Sequence, residues 1–268
     1  MDRAPTPTGL HYVDPSPLGT LALAEHRVAA PLATVIAIHG GLDRAASFTR
    51  LSRRLEDFNV IAYDRRGYQR SRLRGAGTLG QHVDDLQRVI DWAGPAGPVV
   101  LFGHSFGGLV AMSLVARHPH VADVVVAYES PLPWILTRPS PTPAPGENPA
   151  LDAERFFRRV VSDSSWERLS PAERESRRLD GPALHADLTA MTAPLAPFEL
   201  DEISVPVRYL FGDQRAAAYY RELARRLNSM SVYFSSCELA GAQHGAHLSH
   251  PDLLASEVRS AFEHLLVT

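Results

Sequence analysis

A serine set between glycines, Gly103-His104-Ser105-Phe106-Gly107-Gly108, follows the apolar run Pro98-Val99-Val100-Leu101-Phe102 and precedes a helical pattern from Leu109 to Arg117. A buried strand that runs into G-x-S-x-G and then into a helix is the context of a nucleophile elbow. Glycines two before and two after the serine let the turn close and let neighbouring backbone pass. Ser105 then stands at a helix N-terminus, where backbone N–H groups meet developing negative charge. The chemistry this implies is nucleophilic acyl transfer. A glycine-rich turn with an incidental serine is the plain alternative, and the flanking strand and helix count against it.

A serine is a weak nucleophile without a base, an orienting acid and an oxyanion hole. The segment Gly241-Ala242-Gln243-His244-Gly245-Ala246-His247-Leu248-Ser249-His250-Pro251 offers three histidines after the last predicted strand. His244 comes first and is flanked by small residues, so it is the expected base. His247 and His250 lie nearer the final helix and read as surface or capping residues. Histidine clusters also bind metal, but no carboxylate of matching spacing stands nearby, so no metal and no cofactor are expected. The turn Ile38-His39-Gly40-Gly41-Leu42 ends the first core strand and offers Gly41 as one oxyanion donor, with the N–H of Phe106 as the other. His39 is expected to pack and hydrogen-bond beneath that turn. Two carboxylates compete as the acid. Asp213, in Phe211-Gly212-Asp213-Gln214-Arg215, has turn-making as its ordinary role. Glu129, in Ala127-Tyr128-Glu129-Ser130-Pro131, ends an apolar strand, where a charge is costly unless paired. Glu129 is favoured.

Alternating elements must place these residues. Continuous β-branched runs at 34–38 and 59–63 read as buried parallel strands. Further strands are expected at 21–27, 121–128, 205–211 and 231–239. Helices are expected at 48–55, 82–92, 216–227 and 253–266, the second amphipathic through Val83, Leu86, Val89 and Ile90. This is an α/β chain with a mainly parallel sheet flanked by helices. The alternation breaks between Pro131 and Ser204. Thr137 to Ala150 carries five prolines and reads as a semi-rigid loop and lid. Two helical patterns follow, marked by Phe156, Phe157, Val160 and Val161, and by Leu184, Leu188 and Met191. Hence residues 1–130 and 204–268 are expected to form the core, and 131–203 a small helical cap over the sheet edge where ligands bind.

Composition sets the outer limits. The 268 residues are 45% hydrophobic, enough for a full core. A net charge of −3 argues against nucleic acid or an anionic membrane as partner. The single cysteine excludes an internal disulfide, and Met1–Leu10 lacks an apolar signal core, so a cytoplasmic location is expected. All 27 basic residues are arginine, which excludes Schiff-base catalysis and a Walker lysine.

With these residues placed, the chain resembles the α/β-hydrolase superfamily over nearly its whole length. His39-Gly40-Gly41 is similar to that family's oxyanion turn. Asp64-Arg65-Arg66-Gly67-Tyr68-Gln69-Arg70-Ser71 resembles its D-x-R-G-x-G-x-S turn, with Gln69 in place of the usual glycine. Many members carry the acid as G-x-x-D after the next-to-last strand, where this chain has Arg215. The Tyr-Glu-Ser-Pro segment is similar to the subgroup with the acid after the sixth strand, such as zearalenone-type lactonases. The resemblance implies a serine hydrolase acting on an apolar, uncharged ester or lactone, with Ser105, His244 and Glu129 as triad. Leu42, Trp134, Phe157, Leu184, Leu188 and Met191 are the expected pocket walls beside Phe106. A small molecule is the expected partner, and a homodimer is considered beside a monomer. A C–C bond hydrolase, a cofactor-free perhydrolase and a non-catalytic binding protein remain as alternatives.

Overall fold

The computed structural model describes residues 9–138 and 145–267. Eight strands form one sheet: β1 (His11–Tyr12), β2 (Leu23–His26), β3 (Thr34–Ile38), β4 (Asn59–Tyr63), β5 (Val99–His104), β6 (Val124–Tyr128), β7 (Val207–Gly212) and β8 (Phe234–Leu239). Their order is β1-β2-β4-β3-β5-β6-β7-β8. β1 and β2 pair antiparallel, as do β2 and β4, while every pair from β4 through β8 is parallel. The helices are α1 (Thr49–Ser52), α2 (Leu79–Ala93), α3 (Phe106–Arg117), α4 (Pro149–Val160), α5 (Asp163–Arg168), α6 (Pro171–Leu179), α7 (Gly181–Met191), α8 (Ala217–Met230), α9 (Ala246–Ser249) and α10 (Pro251–Leu265).

The side-chain alternation of the central strands sorts the core into two faces. Ile36, Ile38, Ile61, Leu101, Val125 and Tyr209 face α2, α3 and α8, through residues such as Leu86, Val110 and Leu223. Val35, Ala37, Val60, Val100, Phe102 and Val126 face α1 and α10, through Leu51, Leu254, Val258 and Phe262. β5 and β6 are buried at every position, as central parallel strands must be. The nucleophile turn therefore leaves a rigid, fully packed strand.

The span between β6 and β7 departs from the two-helix expectation. Four helices occupy it among the described residues. The two that were missed, α5 and α6, are almost wholly polar, so they carry no apolar period to read. Local chemistry starts them instead. Ser162 caps α5, and a Ser170–Glu173 capping box opens α6. Helix α4 begins at Pro149, inside the stretch read as loop, with Asn148 as its cap. Residues 139–144 of that stretch lie outside the described residues.

Candidate active site

Ser105 joins β5 to α3 with φ 53° and ψ −122°, a costly conformation for a residue with a side chain. The packing around it compels the turn. A Cβ on Gly103 would lie 2.3 Å from Cα of Gly108, and one on Gly107 would lie 2.1 Å from the carbonyl oxygen of Ile38. Only glycine fits at either place. The Ser105 N–H donates to the carbonyl of Tyr128 at 2.8 Å, tying the elbow to the end of β6.

Glu129 is the next residue, also at positive φ (46°) and only 1% exposed. Its Oε2 lies 2.6 Å from Nδ1 of His244, and its Oε1 accepts the N–H of Gly212 at 3.1 Å. Both oxygens are thus occupied, which offsets the cost of burying the charge. Hydrogen bonding to Glu129 places the imidazole proton on Nδ1 and leaves Nε2 as the acceptor. Two further bonds hold the backbone of the histidine loop. The Tyr128 hydroxyl donates to the carbonyl of Gln243 at 2.6 Å, and Nε2–H of His104 donates to the carbonyl of His244 at 2.9 Å. Burial, then the charge of Glu129, push the Tyr128 hydroxyl far above the usual tyrosine range, so it stays a donor. Asp213 is exposed and turned elsewhere. Its Oδ1 accepts from the N–H of Gly241 at 2.9 Å and from Gln214 at 2.8 Å. Arg215 donates to the carbonyl of Arg159 on α4 at 2.7 Å.

The alpha/beta hydrolase family pattern matches residues 35–257, which is most of the chain and takes in the elbow, Glu129 and the histidine loop. The chain belongs to that family. It is 34% identical over 200 residues to the lipase LipV of Mycobacterium tuberculosis, covering 72% of this chain and 67% of that one. It is 28% identical over 239 residues to the pimeloyl-[acyl-carrier protein] methyl ester esterase of Sodalis glossinidius, covering 81% and 88%. Among solved structures it superposes on the carboxylesterase CesB of Bacillus subtilis with TM-score 0.66 at 20% identity, covering 96% and 92%, a likeness of fold.

In this alpha/beta hydrolase the turn after β3 passes directly beside the elbow. A Cβ on Gly40 would lie 2.9 Å from Cβ of Ser105. A Cβ on Gly41 would meet Leu184 at 3.1 Å and Phe156 at 3.7 Å. Those two side chains belong to a small apolar cluster with Leu42, Tyr68, Phe157, Leu188 and Met191. Helices α4 and α7 thus put an apolar surface against the turn. Trp134 goes elsewhere: it packs on Phe198 at 5.3 Å between ring centroids and leans on the core face that carries α3 and α8. Phe156, grouped in sequence with Phe157 as a helix marker only, is the α4 aromatic at Gly41.

Beneath the turn, His39 accepts the N–H of Arg65 on Nε2 at 2.8 Å and donates from Nδ1 to its neighbour's carbonyl, Gly40, at 2.7 Å. Burial, then the charge of Arg65, push His39 down to about 3, so the ring is neutral. Arg65 is fully buried and was not singled out by the sequence. Its guanidinium donates to the carbonyls of His39 and Gly40 at 2.8 and 3.1 Å, and pairs with Asp187 of α7 at 2.6 Å. It also lies 4.9 Å from the ring of Phe106. One cation therefore touches both segments expected to supply the oxyanion donors, and helix α7 as well. Gln69, in the usual glycine position, does take positive φ (45°). Its backbone N–H and side-chain amide both bind Asp180 at the start of α7, at 3.1 and 2.6 Å. The departure from glycine ties the turn to the start of α7.

The structure corrects the reading of His247 as a surface or capping residue. It is 2% exposed, packed against His104 at 4.4 Å and Phe48 at 5.4 Å between ring centroids. Its Nε2 lies 3.0 Å from Oδ2 of Asp43, a carboxylate that sequence spacing could not associate with it. His250 is half-buried, at the residue before α10.

Proposed function

We propose that this chain is a serine esterase that opens an uncharged, apolar small ester or lactone through an acyl-enzyme. The observation that carries the reading is the buried Glu129–His244 contact of 2.6 Å, on the sheet edge where Ser105 stands in a strained elbow. His244 Nε2 takes the Ser105 proton as Oγ attacks the carbonyl. The N–H groups of Gly41 and Phe106 receive the oxyanion. Phe106 suits that role because the first N–H of a helix has no partner inside it. His244 then returns the proton to the leaving alcohol. For a lactone that alcohol stays joined to the acyl group. Water, activated by His244, attacks the acyl-enzyme and releases the acid. Glu129 keeps the imidazole in its working tautomer and balances the charge it gains.

Helices α4 to α7 serve as the cap in this reading. The apolar residues Leu42, Phe156, Phe157, Leu184, Leu188 and Met191 favour an apolar acyl or alkoxy group. The relatives named as lipase and esterase agree with ester cleavage. Two measurements test the proposal together: hydrolysis of p-nitrophenyl acyl esters and of an aromatic lactone, and labelling of Ser105 by a fluorophosphonate. Time-dependent labelling with no turnover of any ester or lactone would point to the C–C hydrolase alternative. No labelling at all would leave a ligand-binding protein.

A further inference from the structure

A second group of titratable side chains lies behind the candidate triad and takes no part in the proposed mechanism. Asp43, His104 and His247 are all buried, and Oδ2, Nδ1 and Nε2 of these residues lie within 4.8 Å of one another. His247 Nε2 is 3.0 Å and His104 Nδ1 is 3.9 Å from Asp43 Oδ2. Among the described residues none of these three atoms makes a hydrogen bond of acceptable geometry, although Nε2 of His247 stands at ion-pair distance from Asp43, and Nδ1 of His247 makes none either. Buried polar atoms without partners are rare and costly.

The protonation of His104 follows from its other nitrogen. Nε2 faces the carbonyl oxygen of His244 at 2.9 Å. A carbonyl only accepts, so Nε2 carries the hydrogen. In the neutral ring Nδ1 is then a bare lone pair, and it faces a carboxylate oxygen. Two buried acceptors aimed at one point repel unless something positive sits between them. A third nitrogen, Nε2 of His247, lies 3.0 Å from the same carboxylate oxygen.

We propose that Asp43, His104 and His247 bind one divalent transition-metal cation, zinc being the best match for two imidazoles and a carboxylate. Zinc takes that donor set at tetrahedral geometry, and three protein ligands leave one position for water. Two of the three residues are held as ligating residues are. His104 gives its second N–H to a backbone carbonyl, and Oδ1 of Asp43 is held by the hydroxyl of Ser47. The three ligands come from three different segments. Asp43 lies two residues after Gly41, His104 directly before Ser105, and His247 three residues after His244. The ion would staple together the oxyanion turn, the elbow and the histidine loop, whether or not the reaction is ester cleavage.

The test uses the full chain, stripped with a chelator and titrated with zinc chloride, and in parallel with cobalt(II) chloride as a spectroscopic probe. We expect about one equivalent of zinc to survive dialysis. Zinc at ~100-fold over its dissociation constant should raise Tm by about 5 °C, and cobalt should show the d–d absorption of a low-symmetry nitrogen–oxygen site. Asp43→Asn and His247→Gln should each lose the retained metal and the Tm rise, while His250→Ala should keep both. If the wild-type chain takes up no zinc above background, or cobalt gives only its aquo spectrum, the proposal is overturned whatever the variants do. It is equally overturned if a folded Asp43→Asn retains zinc as the wild type does, since the ion would then sit on other histidines.

Discussion

Ser105 holds a backbone conformation that only its neighbours make tolerable, and strain of that kind is kept where it serves chemistry. Removing its hydroxyl leaves the glycine packing untouched. Ser105→Ala should therefore fold as the wild type does and lose ester hydrolysis by ~10⁴-fold or more, measured with a p-nitrophenyl ester. Retention of half the activity would end the nucleophile assignment. The two carboxylates give the sharper contrast. Glu129→Gln keeps the shape beside His244 but removes the charge that balances an imidazolium, so kcat should fall by roughly 10³–10⁴-fold. Asp213→Asn touches only the bonds from Gly241 and Gln214, and kcat should stay within about threefold. Steady-state kinetics of the pair decide it, and the reverse ranking would transfer the acid to Asp213.

Helix α7 is bolted to the core rather than laid over it. Arg65 meets Asp187, Arg72 meets Asp180, and the Tyr68 hydroxyl donates to Asp187 at 2.6 Å. Burial alone would push the Asp187 carboxyl up, but the Arg65 guanidinium and the hydrogen bonds from His82 and Arg65 outweigh it and hold the carboxyl well below the usual range. A depressed carboxyl contributes stability above its unfolded value, and that contribution is lost only in strong acid. Asp187→Asn leaves Arg65 buried without its counter-charge, which typically costs about 3–5 kcal/mol. The variant should melt several degrees below the wild type at pH 7. It should also lose activity, because the same guanidinium holds the carbonyls of His39 and Gly40. A Tm unchanged within about 1 °C would show that the pair is not the anchor described. Helices α4, α5 and α6 are joined to one another by exposed pairs such as Arg158–Glu167 and the partly exposed Arg178–Glu154, and α6 also reaches the core, where Arg177 donates to the carbonyl of Leu42.

The whole molecule buries neutral imidazole, and that fixes how it answers acid. His39 sits at about 3 against an ordinary 6.5, and His82 is lowered as well, by burial first and then by the charge of Arg65. Between those values the unfolded chain takes up protons that the folded chain refuses. Stability should therefore be complete above pH ~6.5 and decline steadily toward pH ~3. Thermal melts at pH 5.0 and 7.5 check this. A flat Tm across that interval would mean that these rings are protonated in the fold. The sequence by itself determined the strands from β2 to β8 and the elbow, because strand patterning and the demand for glycine at a crowded turn are local properties; the two-residue edge strand β1 is too short to show a pattern. Gly103, Gly107 and Ser105 are legible within a few residues of one another. The sequence also put Glu129 and Asp213 at the ends of neighbouring strands, but only the packing of β6, β7 and the histidine loop brings one of them to His244. Polar helices α5 and α6 left no period to read. Arg65 with Asp187, and Asp43 with His247, are partners separated by more than a hundred residues. No spacing encodes such pairs. They exist because strand ends, helix α7 and the histidine loop meet in the folded chain, where desolvated polar groups must find each other.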